Sequence, residues 1–420
     1  MKFAAGGFTA LVAPGILSSC GPSGRQEIRF TFNKREAIGF LSETIAKYNE
    51  SQDNYEVVMD TSGPGAISAS FVRGNPPDLM LARYGHEVSR FVQRCTLSDL
   101  SDTDAAATIS PETQPLMEQF GSCDGRISCL PYSAMAQSIV YNKEIFAEHD
   151  LDVPSTWSEL IELCDALKAA SVVPFYATFA DAWTVGQGWF DYCVGGMVDV
   201  ASFYEKLNAQ GTEVGPESEA SFGKDFLEPV EKMQLLAQNY TQPDANSRTY
   251  DFGNVEFANG AGAMYMQGPW AISEIAKINP DLEVGSFPLP MTEDPEDLKV
   301  VTTIDLATMI PEDARNPEGA TDFLEYLYQP EIIQAYNDSQ LGFAPTETSE
   351  DPTDPRIQGM VEYYNSGAVY LAPGQINPPA IPTNNYAQSL VLGDDAMSIL
   401  NSMDADWARL AFRQSASDEG

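Results

Sequence analysis

Two hydrophobic periods alternate along the chain. From Ile28 to Phe32 apolar side chains fall at every second position, and the β-branched and aromatic content predicts a strand. Directly after it, Ala37, Phe40, Leu41, Thr44, Ile45 and Tyr48 recur at spacings of three and four, which is one face of a helix. Tyr55 to Met59 predicts a second strand, and Pro76-Pro77-Asp78 leads into a short buried one, Leu79-Met80-Leu81. Strand, helix, strand, loop, strand in that order opens a parallel α/β layer. Further on, Thr156 caps a helix that runs to Ala169. Glu159 completes a capping box there, and Leu160, Leu163, Cys164 and Leu167 form the apolar face. Asn316-Pro317 opens another helix, with Ala320, Phe323, Leu324 and Leu327 on one side. Residues 208–222 and 291–298 are polar and acidic and read as surface loops. Residues 343–356 carry Pro345, Pro352 and Pro355 and read as a connection, and 413–420 as a frayed tail.

A length of 420 residues suits two domains better than one. With 43% hydrophobic and 20% charged residues, the chain has the balance of a soluble globular protein with real cores. Past residue 20 no apolar run is long enough to span a membrane. Charge changes the picture more: 23 Lys+Arg face 61 Asp+Glu, a formal net charge of −38. Such a surface repels nucleic acid and anionic membrane faces, so neither is an expected partner. The acidity itself reads as solubility, or as adaptation to a salty or acidic habitat.

The N-terminus carries an address. Lys2 precedes a mostly apolar run from Phe3 to Ile16, interrupted by Gly6, Gly7 and Pro14, and then comes Leu17-Ser18-Ser19-Cys20. A charged start, an apolar centre and small residues before a cut site describe a secretory signal over residues 1–19. The tetrapeptide also resembles a bacterial lipobox, which makes Cys20 the lipidated first residue and 20–25 a tether; the alternative is a buried N-terminal helix with a chance cysteine. Export permits disulfides. Five cysteines remain after Cys20, so at least one is free or pairs elsewhere. Cys123 and Cys129 flank the turn Asp124-Gly125, but a two-residue turn sets Cys123 opposite Arg126, which disfavours that pair. With no CxxC and only His86 and His149, a zinc site is not expected, and no cofactor is implied.

The most distinctive stretch is residues 252–290. It reads Phe257-Ala258-Asn259-Gly260, Ala263-Met264-Tyr265-Met266, Gly268-Pro269-Trp270, and closes on Phe287-Pro288-Leu289-Pro290. Pro77-Asp78-Leu79-Met80, the hairpin Asp124-Gly125-Arg126-Ile127, and Tyr141-Asn142-Lys143 followed by Phe146 and Pro154-Ser155-Thr156-Trp157 fall in compatible order. Together these resemble the extracellular solute-binding proteins of family 1, the maltose-binding-protein-like group, over roughly residues 26–412. The resemblance implies a periplasmic-binding-protein-like α/β fold, with two lobes around a central cleft joined by crossing segments. Lobe one would hold 26–131 and 305–345, and lobe two 136–300 and 346–412. Pro131-Tyr132-Ser133 and Thr302-Thr303-Ile304 are the candidate crossings. It further implies a monomer tethered by lipid on the extracellular face of a bacterial membrane. There it would capture a carbohydrate, an oligosaccharide above all, and deliver it to the transmembrane subunits of an ABC permease.

A pyranose has an apolar C–H face and a rim of hydroxyls, so its site needs aromatic faces and planar polar groups converging in one cleft. By resemblance Trp270, at a strand-to-helix corner, is the stacking candidate; its rival role is core. Trp183 and Asp181 are candidates on the same lobe, while Trp189 reads as core. On lobe one, Lys34 and Glu36 lie in the loop after the first strand, at the carboxyl end where open α/β sheets bind ligands; a solvated helix start is the rival reading. Arg83 and Tyr84 end the Pro77-Asp78 strand, Asp305 adjoins a crossing, and Asn385 lies in a late loop. Asp78 itself is expected to brace its turn. Several maltose binders carry a Trp where Ala82 stands, so maltose specificity does not follow. Two other readings stay open. A non-sugar cargo such as a peptide or polyamine would use the same fold. A surface glycosidase would need two carboxylates at a set separation, and no motif marks such a pair; G-x-S-x-G, P-loop and H-E-x-x-H motifs are absent.

Overall fold

The computed structural model describes residues 24–113, 116–117 and 121–418; the signal, Cys20 and most of the tether lie outside them. Among the described residues ten strands form two sheets. The first holds β1 (Gln26–Thr31), β2 (Tyr55–Asp60), β3 (Leu79–Arg83), β4 (Leu130–Gln137), β9 (Val300–Met309) and β10 (Val369–Leu371). The second holds β5 (Ile139–Asn142), β6 (Phe175–Tyr176), β7 (Met264–Tyr265) and β8 (Val284–Phe287), in the order β6-β7-β5-β8. Each sheet is the centre of one lobe.

In the first lobe β1 pairs parallel with β2 and β3, as the opening hydrophobic pattern predicts. The helix Ile38–Ser51 buries Leu41, Thr44, Ile45 and Tyr48, and Ala37 is buried in the 3₁₀ turn Arg35–Ala37 that leads into it. Tyr48, Phe30 and Phe323 pack into one core with Leu79, Leu81 and Leu324. Asp78 braces its turn: its carboxylate accepts from the Arg29 backbone at 2.8 Å, from Arg29 Nε at 3.0 Å and from Arg315 N–H at 2.8 Å. Burial pushes that carboxyl up, but the Arg29 contacts prevail and hold it below the usual carboxylate range. β3 runs to Arg83, two residues beyond the sequence reading, because Ala82 and Arg83 find partners at Ala307 and Leu306 on β9.

The lobes are joined by a ribbon. β4 and β9 pair antiparallel from Leu130↔Thr308 to Gln137↔Val301, with register shifts on either side of Ser133. Both candidate crossings thus lie on a single two-stranded element, offset along it, with Ser133 opposite Leu306 and Ile304 opposite Ala134. The other edge of β9 is shared: Leu306–Met309 pairs with β3 and Val300–Thr302 with β10.

The second lobe has its own core, built from Leu160, Cys164 and Leu167 of the helix Trp157–Ala169 with Phe175, Trp189, Phe190 and Phe226. Thr156 and Glu159 form the expected capping box, and Asn316 accepts from Gly319 N–H at 3.1 Å on the other predicted helix. Trp189 sits edge-on between Phe175 and Phe179, which makes it core.

Three expectations change. Residues 346–412 do not lie wholly with the second sheet, since β10 adds to the free edge of β9 in the first. The segment read as a frayed tail is mostly helical, as the last helix runs Ala396–Asp418. Residues 208–222 are not all loop, for they hold the end of the helix Val200–Gln210 and the turn Gly211–Glu213. Cys123 faces Arg126 across its turn and is bonded to Cys95, while Cys129, Cys164 and Cys193 are buried thiols. Among the described residues no helix is long and apolar enough to cross a membrane.

Candidate functional site

A cavity of about 420 Å³ opens between the lobes. Lobe one brings the turn Asn33–Glu36 at the carboxyl end of β1, Arg83 at the end of β3, and Asp305 of β9. Lobe two brings Trp183, Gln187, Tyr250 and Trp270, and the ribbon supplies Met135, Gln137 and Thr303 as the floor. Six of the nine residues singled out by sequence line this one space: Lys34, Glu36, Arg83, Trp183, Trp270 and Asp305.

Several are held by their neighbours. Lys34 Nζ donates to Asp305 Oδ2 at 2.6 Å, an ion pair largely screened from solvent. Trp270 follows Gly268, with Pro269 opening the helix Pro269–Ile278. Its ring folds back so closely that a Cβ on Gly268 would stand 2.2 Å from it, so only glycine permits this rotamer. The indole N–H donates to Gln267 Oε1 at 3.2 Å, and Gln267 is buried, which fixes the plane of the ring. Trp183 meets Tyr250 edge to face, with centroids 4.9 Å apart. Tyr250 is buried, and its hydroxyl stands beside Asn254. Burial pushes this phenol up, so it stays neutral and is able to donate or accept. On the floor, Gln137 Nε2 donates to Thr303 Oγ1 at 3.0 Å across the ribbon.

Gln187 comes from a π-helical turn, Val185–Phe190, pressed tightly into place. A Cβ at Gly188 would lie 2.1 Å from the carbonyl of Met266, and one at Gly186 would lie 1.9 Å from Asn384 Oδ1. The two glycines let the turn approach that closely and leave Gln187 facing the cleft. Its amide oxygen, in the orientation its neighbours dictate, accepts from both Arg83 Nη atoms at 3.2 and 3.1 Å.

The other three candidates stand elsewhere. Tyr84 is buried, its hydroxyl donates to the Met117 carbonyl, and it borders a neighbouring space beyond Arg83 rather than this cavity. Asp181 does not line the cavity; its Oδ2 accepts the Tyr250 N–H at 2.7 Å, satisfying an orphan donor at the start of the helix Tyr250–Ala258. Asn385 lines a second space of about 510 Å³ beyond Arg83, with His86, Thr383 and Asn384. There His86 Nε2 donates to the Ile376 carbonyl at 2.9 Å. Nearby, Asp191 is fully buried and accepts from Gly374 N–H at 2.6 Å. Burial pushes its carboxyl up to about 7, against the pull of that N–H and of the Arg83 charge.

Gln187, Tyr250, Met135, Gln137 and Thr303 were not read from sequence. Gly-Gln-Gly at 186–188 was a visible signal, since two glycines around one polar residue mark a close backbone approach. Gln137, at the end of a largely apolar strand, was another.

Two α/β lobes, a paired ribbon between them and a cleft lined by indoles, amides and charges define a two-lobed ligand-capture protein. The chain belongs to the bacterial extracellular solute-binding protein family, whose profile matches residues 43–359. The multiple sugar-binding protein of Streptococcus mutans is 28% identical over 217 residues, 51% of this chain and 50% of that one. This chain therefore spans about half the length of that relative. The sn-glycerol-3-phosphate-binding periplasmic protein of Yersinia pestis is 24% identical over 396 residues, covering 88% and 84% of the two chains. Among solved structures, the solute-binding protein RafE in complex with raffinose superposes with a TM-score of 0.79 at 22% identity, over 92% of this chain and 99% of that one.

Proposed function

We propose that this protein captures an oligosaccharide between its lobes and hands it to the transmembrane subunits of an ABC permease, without catalysis. One observation carries the reading. Two part-buried indoles, Trp183 and Trp270, share one cavity with Lys34, Glu36 and Asp305 of the opposite lobe. Indole faces suit the C–H face of a pyranose, and the charged and amide groups suit its hydroxyls. A solute touching both lobes favours their closure, with the β4–β9 ribbon as the bending element. In this reading lobe one comprises 26–131 and 305–345 and lobe two 136–300 and 346–412, with β10 lent to the first sheet. The chain works as a monomer, held to the extracellular face of the membrane by lipid on Cys20.

The relatives' names carry both kinds of cargo, sugars and a phosphate ester, so kinship alone leaves the solute's charge open. The test is a thermal-shift screen of residues 26–420 against mono- and oligosaccharides, with peptides, polyamines and glycerol phosphate as controls. A ligand bound only to the native state raises the melting temperature. A shift with one class of oligosaccharide is the expected result. A shift from a control alone, with none from any sugar, refutes the carbohydrate reading and keeps the fold.

A further inference from the structure

The cleft carries a charge pattern opposite to that of the molecule. Against a net charge of −38, the main cavity is lined by three cations, Lys34, Arg35 and Arg83, and by two carboxylates, Glu36 and Asp305. Lys34 and Asp305 neutralise each other at 2.6 Å. Arg83 has no such partner: among the described residues no carboxylate lies within ion-pair distance of it. Its two Nη atoms are shared by a single neutral oxygen, that of Gln187. Asp191, whose charge reaches Arg83, is fully buried, committed to Gly374 N–H, and biased by burial toward its neutral form.

Arg83 also occupies a particular place. It lines both the indole-bearing cavity and the second space beyond it, whereas Lys34, Glu36 and Asp305 line only the first. A guanidinium presents paired N–H donors that match the two oxygens of a carboxylate or phosphate, and one carboxamide oxygen uses that fork poorly. We infer that the solute is an acidic carbohydrate, and that Arg83 binds an oxyanion on it, a uronate carboxylate or a phosphate, at the junction of the two cavities. This rests on the carbohydrate reading above. The neutral part of the chain lies against Trp183 and Trp270, and the anionic substituent points past Arg83 toward His86 and Asn385. Carboxylates stand in both spaces, Glu36 in the first and Glu87 in the second, so the two indoles set the orientation by claiming the apolar ring faces for the first cavity.

Titration calorimetry on residues 26–420 with matched pairs tests this. Neutral xylo-, galacto- and gluco-oligosaccharides are each compared with the same chain bearing one uronate or one phosphate. We expect the acidic member of the recognised pair to bind about tenfold tighter or more at low salt, with the preference shrinking as salt is added. Arg83→Gln brings the acidic-to-neutral ratio toward one, and Arg83→Lys keeps part of it; the ratio is the readout, because loss of the Gln187 contact affects both members alike. A preference confined to uronates or to phosphates identifies the oxyanion. Equal or weaker binding of the acidic members, or a ratio unchanged by Arg83→Gln, overturns the inference and leaves the carbohydrate reading standing. Binding of neither set overturns both.

Discussion

Replacing Trp270 by alanine removes one of the two indole faces in the cleft. A pyranose laid on one face of the indole hides on the order of 50 Å² on the ring and a similar area on itself, so about 100 Å² in total leaves water. At about 25 cal/mol per Å² this gives roughly 2.5 kcal/mol, or a loss of about 60-fold in Kd. The substitution also leaves Gln267 Oε1, on a buried side chain, without the indole N–H. That loss costs about 1 kcal/mol of stability, but it is present in free and bound protein alike and cancels from the affinity. Trp270→Phe separates the two effects: a phenyl ring keeps a flat apolar face and gives up the N–H, so most of the affinity survives while the stability cost remains. Calorimetric titration of the wild type and both variants, with the saccharide found by screening, reads the affinities, and melting temperatures read the folds. If Trp270→Ala binds within twofold of wild type while remaining folded, the indole is a core residue and the stacking argument is wrong.

Two further expectations follow from buried groups. Asp191 has its carboxyl raised from the ordinary value of 3.8 to about 7, so the folded state holds the proton more tightly than the unfolded one. Its contribution to stability is fully present below about pH 4 and is lost as pH rises through about 7, a swing of roughly 4 kcal/mol. Asp191→Asn keeps an acceptor for Gly374 N–H and cannot ionise, so its melting temperature gains on wild type between pH 5 and pH 8; a gap that stays constant across that range contradicts the assignment. The Cys95–Cys123 bond spans 28 residues of sequence, and a loop of that size is worth roughly 3.5 kcal/mol in the chain-entropy account. Reductant therefore lowers the urea midpoint of the wild type and leaves a Cys95→Ser, Cys123→Ser double variant unmoved, whereas equal midpoints with and without reductant exclude that bond from the native fold.

Local signals were readable where local physics decides. The caps at Thr156 and Asn316 were visible because a side-chain acceptor three residues ahead of an N–H is a short-range arrangement. The strands β1 to β3 were visible from their hydrophobic pattern, except for the end of β3, where Arg83 faces the cleft and breaks it. Lys34, Glu36 and Arg83 could be placed at the cleft because the carboxyl ends of parallel strands must open there. Tyr84 shows the limit of that rule: it adjoins Arg83 in sequence, but alternation along the strand turns it inward, where its hydroxyl meets Met117. Asp181 and Tyr250 are far apart in sequence and meet only through a helix start, and no pattern along the chain announces such a meeting. The partner of Cys123 was equally hidden, because Cys95 reaches it through a left-handed backbone position, φ 52°, at the end of a helix.

The wiring of the first sheet sets the order in which the molecule can be assembled. The ladder of β4 is made with β9 alone, and β9 also closes the open edge of β3. A ribosome makes Leu79–Arg83 and Leu130–Gln137 long before Val300–Met309, so for most of synthesis β3 has only β1 beside it and β4 has no ladder to join. The second sheet waits in the same way, since Ile139–Asn142 pairs with Met264–Tyr265 and Val284–Phe287. Pairings this distant in sequence close slowly, and neither sheet is complete until the chain has been made as far as Val284–Phe287 for one and Val369–Leu371 for the other.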